Sequence, residues 1–150
     1  MNNTDRILLG LLRRALFARP FSFTIAETDW EALFREASAH TVQLLIYDCL
    51  SCEERVAVPS ETMDRWRAAA LHVLQRNENL ARKQEQILGA FQAERIPCSV
   101  LKGSACAKNY PRGELRCAGD IDLLVGLKDL DRAEQLLRNM GGAFSEEHCR

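Results

Sequence analysis

The spacing of apolar residues predicts a largely helical first half of the chain. Near the N-terminus they recur every three or four positions until Pro20, at Ile7, Leu8, Leu11, Leu12, Ala15 and Leu16. Thr28 and Glu31 have the spacing of a capping box, which predicts that a second helix begins there. The apolar pattern of that helix is interrupted near His40 and resumes at Val42, so we expect His40 to lie at a helix junction.

The longest predicted helix begins at Pro59-Ser60-Glu61 and continues to about Glu94. Its apolar positions step by three and four, as expected of a helix that packs along one face. Two amides, Asn77 and Gln84, interrupt that face. They could fix the register of a helix pair or form a solvated notch in the packing surface, and the pattern alone leaves both interpretations open.

The character of the chain changes at Ile96, where a β-branched segment is followed by a Lys-Gly turn. We predict a strand at 96–101, a short helix at 104–110, a second strand at 120–125 and a helix at 128–140. The two strands are expected to be neighbours in one sheet. The fold class is therefore α/β in the α+β sense, with a helical region at 1–94 and an α/β region at 95–150.

Charge and composition narrow the range of partners. The 150 residues are 47% hydrophobic, which suffices for one packed core, and 20 basic against 21 acidic residues leave a net charge of −1. Such a chain lacks the overall positive field of a nucleic-acid-binding protein, so nucleic acid is disfavoured as a partner. No apolar run approaches the roughly 20 residues of a membrane-spanning helix, and we expect a cytoplasmic protein with no membrane partner.

The six cysteines are too scattered for a small disulfide-bonded scaffold, which agrees with a reducing compartment. Cys49 and Cys52 form a C-x-x-C pair. Because no second pair stands at zinc-ligand spacing and the segment has a helical pattern, we interpret them as two thiols on one helical face.

Asp120 and Asp122 are the strongest candidates for chemistry. Alternate residues of a strand point to the same side, so their carboxylates would lie roughly 6 to 7 Å apart on one face. Such a pair can bind a hard divalent cation together with phosphate oxygens. The alternative is a strand whose polar face happens to be acidic, although strand interiors disfavour aspartate.

The segment Lys102-Gly103-Ser104 stands where the first strand meets a helix. Glycine allows backbone amides to approach a ligand, and a helix N-terminus favours an anion, so a phosphate could lie there. Many strand-to-helix connections contain Gly-Ser, so this turn alone is weak evidence for a phosphate site. The evidence becomes stronger because Asp120 follows the turn in sequence.

These motifs together resemble the uncharacterised nucleotidyltransferase family of the DNA polymerase beta superfamily. The matching residues are Val100-Leu101-Lys102-Gly103-Ser104, Tyr110-Pro111, Arg116 and Gly119-Asp120-Ile121-Asp122-Leu123-Leu124-Val125. Upstream, Ala39-His40-Thr41-Val42 and Leu45-Ile46-Tyr47 are similar to the family's helical lead-in, and the resemblance continues downstream to Gly142.

The resemblance implies a helical layer followed by a partial polymerase-beta-like sheet, and transfer of a nucleoside monophosphate from a nucleoside triphosphate to a hydroxyl of a small molecule or a protein. Asp120 and Asp122 would be the catalytic ligands of Mg²⁺ or Mn²⁺. Lys102, Gly103, Ser104 and Arg116 would contact the phosphates.

Two departures leave the activity open. The segment between the Gly-Ser turn and Asp120 is longer than in compact members and lacks their second glycine. The superfamily also carries a third carboxylate on a later strand, for which only Glu146 and Glu147 remain, so we expect a truncated member. The alternative to an enzyme is an inactive nucleotide-binding or protein-interaction module, antitoxin-like or accessory to biosynthesis, that binds a partner protein or itself through the helical half.

Overall fold

The computed structural model describes residues 2–142 and is mostly helical. Its α-helices are α1 (Asn3–Phe17), α2 (Trp30–Ala39), α3 (Gln43–Cys49), α4 (Cys52–Ala57), α5 (Ser60–Ala93), α6 (Ser104–Ala107) and α7 (Leu130–Asn139). Short 3-10 helices cover Ile25–Glu27, Gly113–Leu115 and Leu127–Asp129. Strands β1 (Cys98–Val100) and β2 (Leu123–Val125) form an antiparallel pair. The predicted α+β class and the pairing of the two strands are confirmed.

Local capping explains where the first helices begin. The Asn2 side chain accepts a hydrogen bond from the Asp5 amide at the start of α1, and Asp5 accepts one in return. The predicted cap of α2 was wrong by one residue. Asp29 is the N-cap and accepts from the Ala32 amide, while the Thr28 hydroxyl donates to the Thr24 carbonyl in the preceding turn.

Contacts divide the chain into two compact units. The first consists of the chain up to residue 78 together with 106–118, and the second consists of 79–105 and the chain from 119 onward. Helix α5 supplies residues to both. We predicted two domains, at 1–94 and 95–150. The compact units are defined by contacts and do not test that division, which stays a prediction.

The core of the first unit surrounds the N-terminal part of α5. Trp66 is completely buried there, its ring meets Phe34 edge to face, and its indole N–H donates to the Gln43 carbonyl at 2.8 Å. The buried cluster contains Ile7, Leu8, Leu11, Trp30, Leu33, Phe34, Ala37, Ile46, Leu50, Val58, Met63 and Trp66. Helices α1, α2 and α3 therefore pack around one aromatic centre.

The second unit has a smaller core that holds the sheet against two helices. Phe91 from α5, Ile96 from the following turn and Ala133 from α7 are buried together. Cys98, Leu123 and Val125 of the two strands pack against them. This packing anchors both strands, and it includes Leu123, the residue directly after Asp122.

The C-x-x-C pair does not lie on one helical face, contrary to our interpretation. Cys49 is the last residue of α3 and Cys52 the first of α4, because the chain is extended at Leu50 and Ser51. Burial raises the pKa of Cys49 to about 11, and its thiol lies 3.2 Å from the Ile46 carbonyl. Such a thiol is protonated at neutral pH and unreactive, so Cys49 contributes to packing rather than redox chemistry.

None of the helices between residues 2 and 142 is both long enough and apolar enough to cross a bilayer.

Candidate functional site

Asp120 and Asp122 lie just before β2 rather than within it. The predicted strand at 120–125 is shorter than expected and begins at Leu123. One further backbone hydrogen bond, from the Leu101 amide to the Asp122 carbonyl at 3.0 Å, continues the pairing beyond the strands. Pairing stops there because Gly103 turns the partner segment away. The aspartates therefore lie where the paired strands end, in backbone without regular secondary structure.

The carboxylate of Asp122 has an unusual environment. Its Oδ2 atom is buried and receives no hydrogen bond, and the Lys102 Nζ lies 3.5 Å from it. The Asp122 side chain is 30% exposed whereas that of Lys102 is 68% exposed. A buried carboxylate oxygen normally has a hydrogen-bond donor or a cation as a partner. Asp122 therefore has an oxygen that a cation could contact, with a largely exposed lysine beside it.

Gly103 brings the Lys-Gly turn against the aspartate segment. It is buried and has a φ of +59°, in the left-handed region that favours glycine. A Cβ atom at this position would lie 3.3 Å from the Asp120 carbonyl oxygen. Gly103 therefore lies against the Asp120 backbone, and both its positive φ and this close approach favour a residue without a side chain.

The helix after the turn is much shorter than predicted. Instead of covering 104–110, α6 is a single turn from Ser104 to Ala107, followed by further turns towards Pro111. One turn aligns few peptide dipoles, so the helix N-terminus contributes less to anion binding than we expected. The Gly103 backbone and Lys102 would have to supply most of the attraction for a phosphate.

Ser104 is positioned by the long helix. Its hydroxyl donates a hydrogen bond of 2.7 Å to the Gln84 side-chain oxygen on α5. Gln84 is one of the two amides that interrupt the apolar face of that helix. The serine that was predicted to contact phosphate therefore has a side-chain partner on α5.

Arg116 belongs to the first unit, whereas the other predicted site residues belong to the second. It follows the 3-10 helix Gly113–Leu115, and its carbonyl accepts a hydrogen bond of 2.8 Å from the Asn77 side chain. The same amide group donates to the Glu114 carbonyl at 2.8 Å, and the Asn77 oxygen accepts from the Ala118 amide at 3.2 Å. Asn77 thereby fixes the segment that immediately precedes Gly119 and Asp120.

We expect Asn77→Ala to lower the free energy of unfolding by about 2 kcal/mol, because a hydrogen bond contributes about 1 kcal/mol net and the three bonds are only partly buried. The Ala118 amide should also lose its protection from hydrogen exchange, measured by NMR. Asn77→Asp should be at least as harmful, since a carboxylate oxygen would face two carbonyl oxygens. The control is Gln75→Ala, an exposed position on the same helix; equal exchange at Ala118 in both alanine variants would contradict this role.

The oxygens of Asp120 and Asp122 suit magnesium better than a softer metal. Mg²⁺ usually takes one or two carboxylates and completes its shell with phosphate oxygens and water. Two carboxylates, one with an unpartnered buried oxygen, are a fitting protein contribution. Within residues 2–142, no cluster of three or more histidine, cysteine or acidic side chains could hold a metal alone. Glu146 and Glu147, proposed as the third acid, lie outside the described residues.

Comparison with protein families assigns the chain. The model of the family described as Uncharacterised nucleotidyltransferase matches residues 26–148, which include the aspartate pair and the Lys-Gly turn. The chain belongs to this family. The resemblance drawn from the sequence motifs is confirmed, and a nucleotidyltransferase-like role follows at that level of detail. No curated protein and no solved structure was found to match the chain.

The sequence drew attention to two further residues of this family member, Asn77 and Gln84, without showing what they contact. Asn77 and Gln84 were noted as amides on an apolar helix face, and we considered a helix pair or a solvated notch. Neither interpretation describes the contacts. Asn77 binds the segment Glu114–Ala118, and Gln84 accepts from Ser104. Polar residues at core-facing positions were the right signal, but their partners are 20 or more residues away in sequence.

Proposed function

We propose that this chain binds a nucleoside triphosphate with magnesium and transfers the nucleoside monophosphate to a hydroxyl acceptor. Family membership supports the reaction class. The observation that carries the proposal is the meeting of two features in the second unit. The buried Asp122 oxygen that receives no hydrogen bond lies within ion-pair distance of Lys102, and Gly103 packs against the backbone of Asp120.

Asp120 and Asp122 would hold the metal, because they supply hard oxygen ligands with only one residue between them in the chain. When bound, Mg²⁺ or Mn²⁺ would offset the negative charge that builds up on the phosphates during displacement. The aspartates would thereby fix the triphosphate relative to the Lys-Gly turn. Asp120 is exposed while Asp122 is partly buried, so Asp120 is the more accessible of the two ligands.

Lys102 would exchange partners when the nucleotide binds. Among the described residues, it is the one cation within ion-pair distance of either aspartate. A largely exposed ion pair of this kind contributes at most about 1 kcal/mol, so Lys102 can leave Asp122 at little cost. Its ammonium group would then donate to a phosphate oxygen, and Asp122 would be free to contact the metal.

Gly103 and Ser104 would contact the phosphates from the turn. The absence of a side chain at Gly103 leaves its backbone accessible at the point where the turn meets Asp120. The Ser104 hydroxyl, which donates to Gln84, would rotate to donate to a phosphate oxygen instead.

The proposal is tested by calorimetry of the purified chain with ATP, GTP, CTP and UTP, each with magnesium, with manganese and without metal. We expect metal-dependent binding of at least one nucleotide. A pyrophosphate-release assay with a panel of sugar, alcohol and protein hydroxyl acceptors then tests transfer. Metal-dependent binding without turnover would favour the inactive nucleotide-binding module. No heat with any nucleotide at millimolar concentration would overturn the proposal.

A further inference from the structure

A small cavity lies in the first unit, whereas Asp120 and Asp122 belong to the second. Its volume is about 180 Å³. It is lined by His40, Thr41, Val42, Tyr110, Leu115, Arg116 and Cys117, all of which belong to that unit. We infer that this cavity binds a small oxyanion group, a phosphate or a carboxylate, with Arg116 as its principal ligand and His40 as a second donor.

The charges of the lining residues select an anion. Arg116 carries a permanent positive charge, and His40, Thr41 and Tyr110 each offer a hydrogen-bond donor. No aspartate or glutamate lines the cavity. Within residues 2–142, no carboxylate lies within ion-pair distance of Arg116, although other arginines of this unit, such as Arg14 and Arg112, are paired with carboxylates. Arg116 is half-buried and has no carboxylate partner among these residues, so its guanidinium can bind an added acidic group.

The volume of the cavity and its apolar lining limit the size and kind of group that can bind. Pockets that bury an entire drug-sized ligand have volumes of roughly 300 to 1,000 Å³, so this one accepts a group rather than a whole nucleotide. Leu115 is buried and Val42 is apolar, so part of the wall repels water. An oxyanion that binds Arg116 here would interact in a less polar medium than bulk water, which strengthens the attraction.

Both walls are held in place without a ligand. On one side, Asn77 binds the Arg116 carbonyl. On the other, the Thr41 amide donates to the Ser38 carbonyl and the Val42 amide to the Ala37 carbonyl. Thr41 has a φ of +56°, an unfavourable conformation for a β-branched residue. These hydrogen bonds fix the backbone that presents His40 and Arg116, so little entropy need be lost when an anion enters.

Two sources could supply the oxyanion, and this inference does not depend on the proposed nucleotide reaction. One source is the phosphate chain of a nucleotide. The other is a separate acidic molecule, such as an acceptor that carries a phosphate or carboxylate group. The chemistry recognised by Arg116 is the same in both cases, so the experiment must separate them.

The test is an amide NMR titration of the whole chain with inorganic phosphate and, separately, acetate, at constant ionic strength. We expect saturable shifts at the amides of Thr41, Val42, Arg116 and Cys117 with a millimolar midpoint. Arg116→Gln should weaken the midpoint at least fivefold, and His40→Gln should weaken it less. Arg19→Gln removes the same charge from an exposed position in the same unit and should leave the midpoint unchanged.

Additional titrations identify which molecule supplies the oxyanion, and they distinguish failure of this inference from failure of the nucleotide proposal. If the nucleotide supplies the group, metal-free tripolyphosphate and ATP should move the same amides and compete with phosphate. If a separate molecule supplies it, phosphate should still bind at saturating nucleotide and magnesium. Asp120→Asn with Asp122→Asn should leave phosphate binding intact, so a failed nucleotide proposal would not affect this one. Shifts that do not saturate, or equal weakening by Arg19→Gln and Arg116→Gln, would overturn it.

Discussion

Replacing Asp120 and Asp122 together by asparagine is expected to weaken metal-dependent nucleotide binding by at least about 100-fold. Single preorganised groups in electrostatic sites account for roughly 100- to 1,000-fold effects, and here both charged ligands are lost while the side-chain shapes are kept. The amide oxygens of asparagine carry no net charge to balance the metal. The effect is measured by calorimetric titration of magnesium and the preferred nucleotide into wild type and variant.

The same change should leave the fold intact, because it removes like charges and breaks only the exposed ion pair with Lys102. Asp131→Asn is the matched control, since Asp131 is exposed in the same unit and the substitution removes the same charge. It should bind nucleotide as the wild type does. Equal losses in the control and the double variant would show that overall charge, rather than these two ligands, determines binding.

Trp66→Ala is expected to lower the free energy of unfolding by about 4 kcal/mol, the range for an aromatic side chain removed from a packed core. The ring is completely buried, and its loss would leave a cavity beside Phe34. The Gln43 carbonyl would also lose the indole donor 2.8 Å away. Urea unfolding followed by circular dichroism measures the change without relying on tryptophan fluorescence.

Two further variants separate packing from general effects on the helix. Trp66→Phe keeps an aromatic ring but removes the N–H donor, so we expect a smaller loss of about 2 kcal/mol. Leu71→Ala lies on the same helix, and because Leu71 is 60% exposed its loss should be within about 0.5 kcal/mol of zero. If Trp66→Ala unfolded at the same urea concentration as Leu71→Ala, the aromatic centre of the first unit would be misassigned.

Local sequence determined the helices well because capping and apolar spacing act over three or four residues. The stop before Pro20, the junction at His40 and the start of α5 at Ser60 all agree with the pattern. The wrong N-cap predicted for α2, Thr28 instead of Asp29, also depends on interactions over only a few residues. Asp29 also caps well, and only the preceding turn, in which Thr28 bonds to Thr24, decides between the two residues.

Sequence motifs also determined the family and the residues proposed for chemistry. Lys-Gly followed by the Asp-Ile-Asp segment was enough to predict the nucleotidyltransferase family, which the family model confirms. The roles of Asp120, Asp122, Lys102 and Ser104 stay predictions, as do magnesium, the acceptor and a cytoplasmic location. A motif specifies which residue types occur and in what order. The role of each residue depends on which ligand it contacts, and the motif does not identify that ligand.

Only the tertiary structure decided contacts between segments distant in sequence. It sets the end of pairing at Asp122, the partners of Asn77 and Gln84, and the assignment of Arg116 to a different compact unit from the aspartates. A hydrogen bond between residues 20 to 41 positions apart leaves no periodic mark in the sequence. Periodicity reports which face of a helix is covered, because burial repeats with the helical turn. It does not report what covers that face, because the covering segment is selected by the packing of the whole unit.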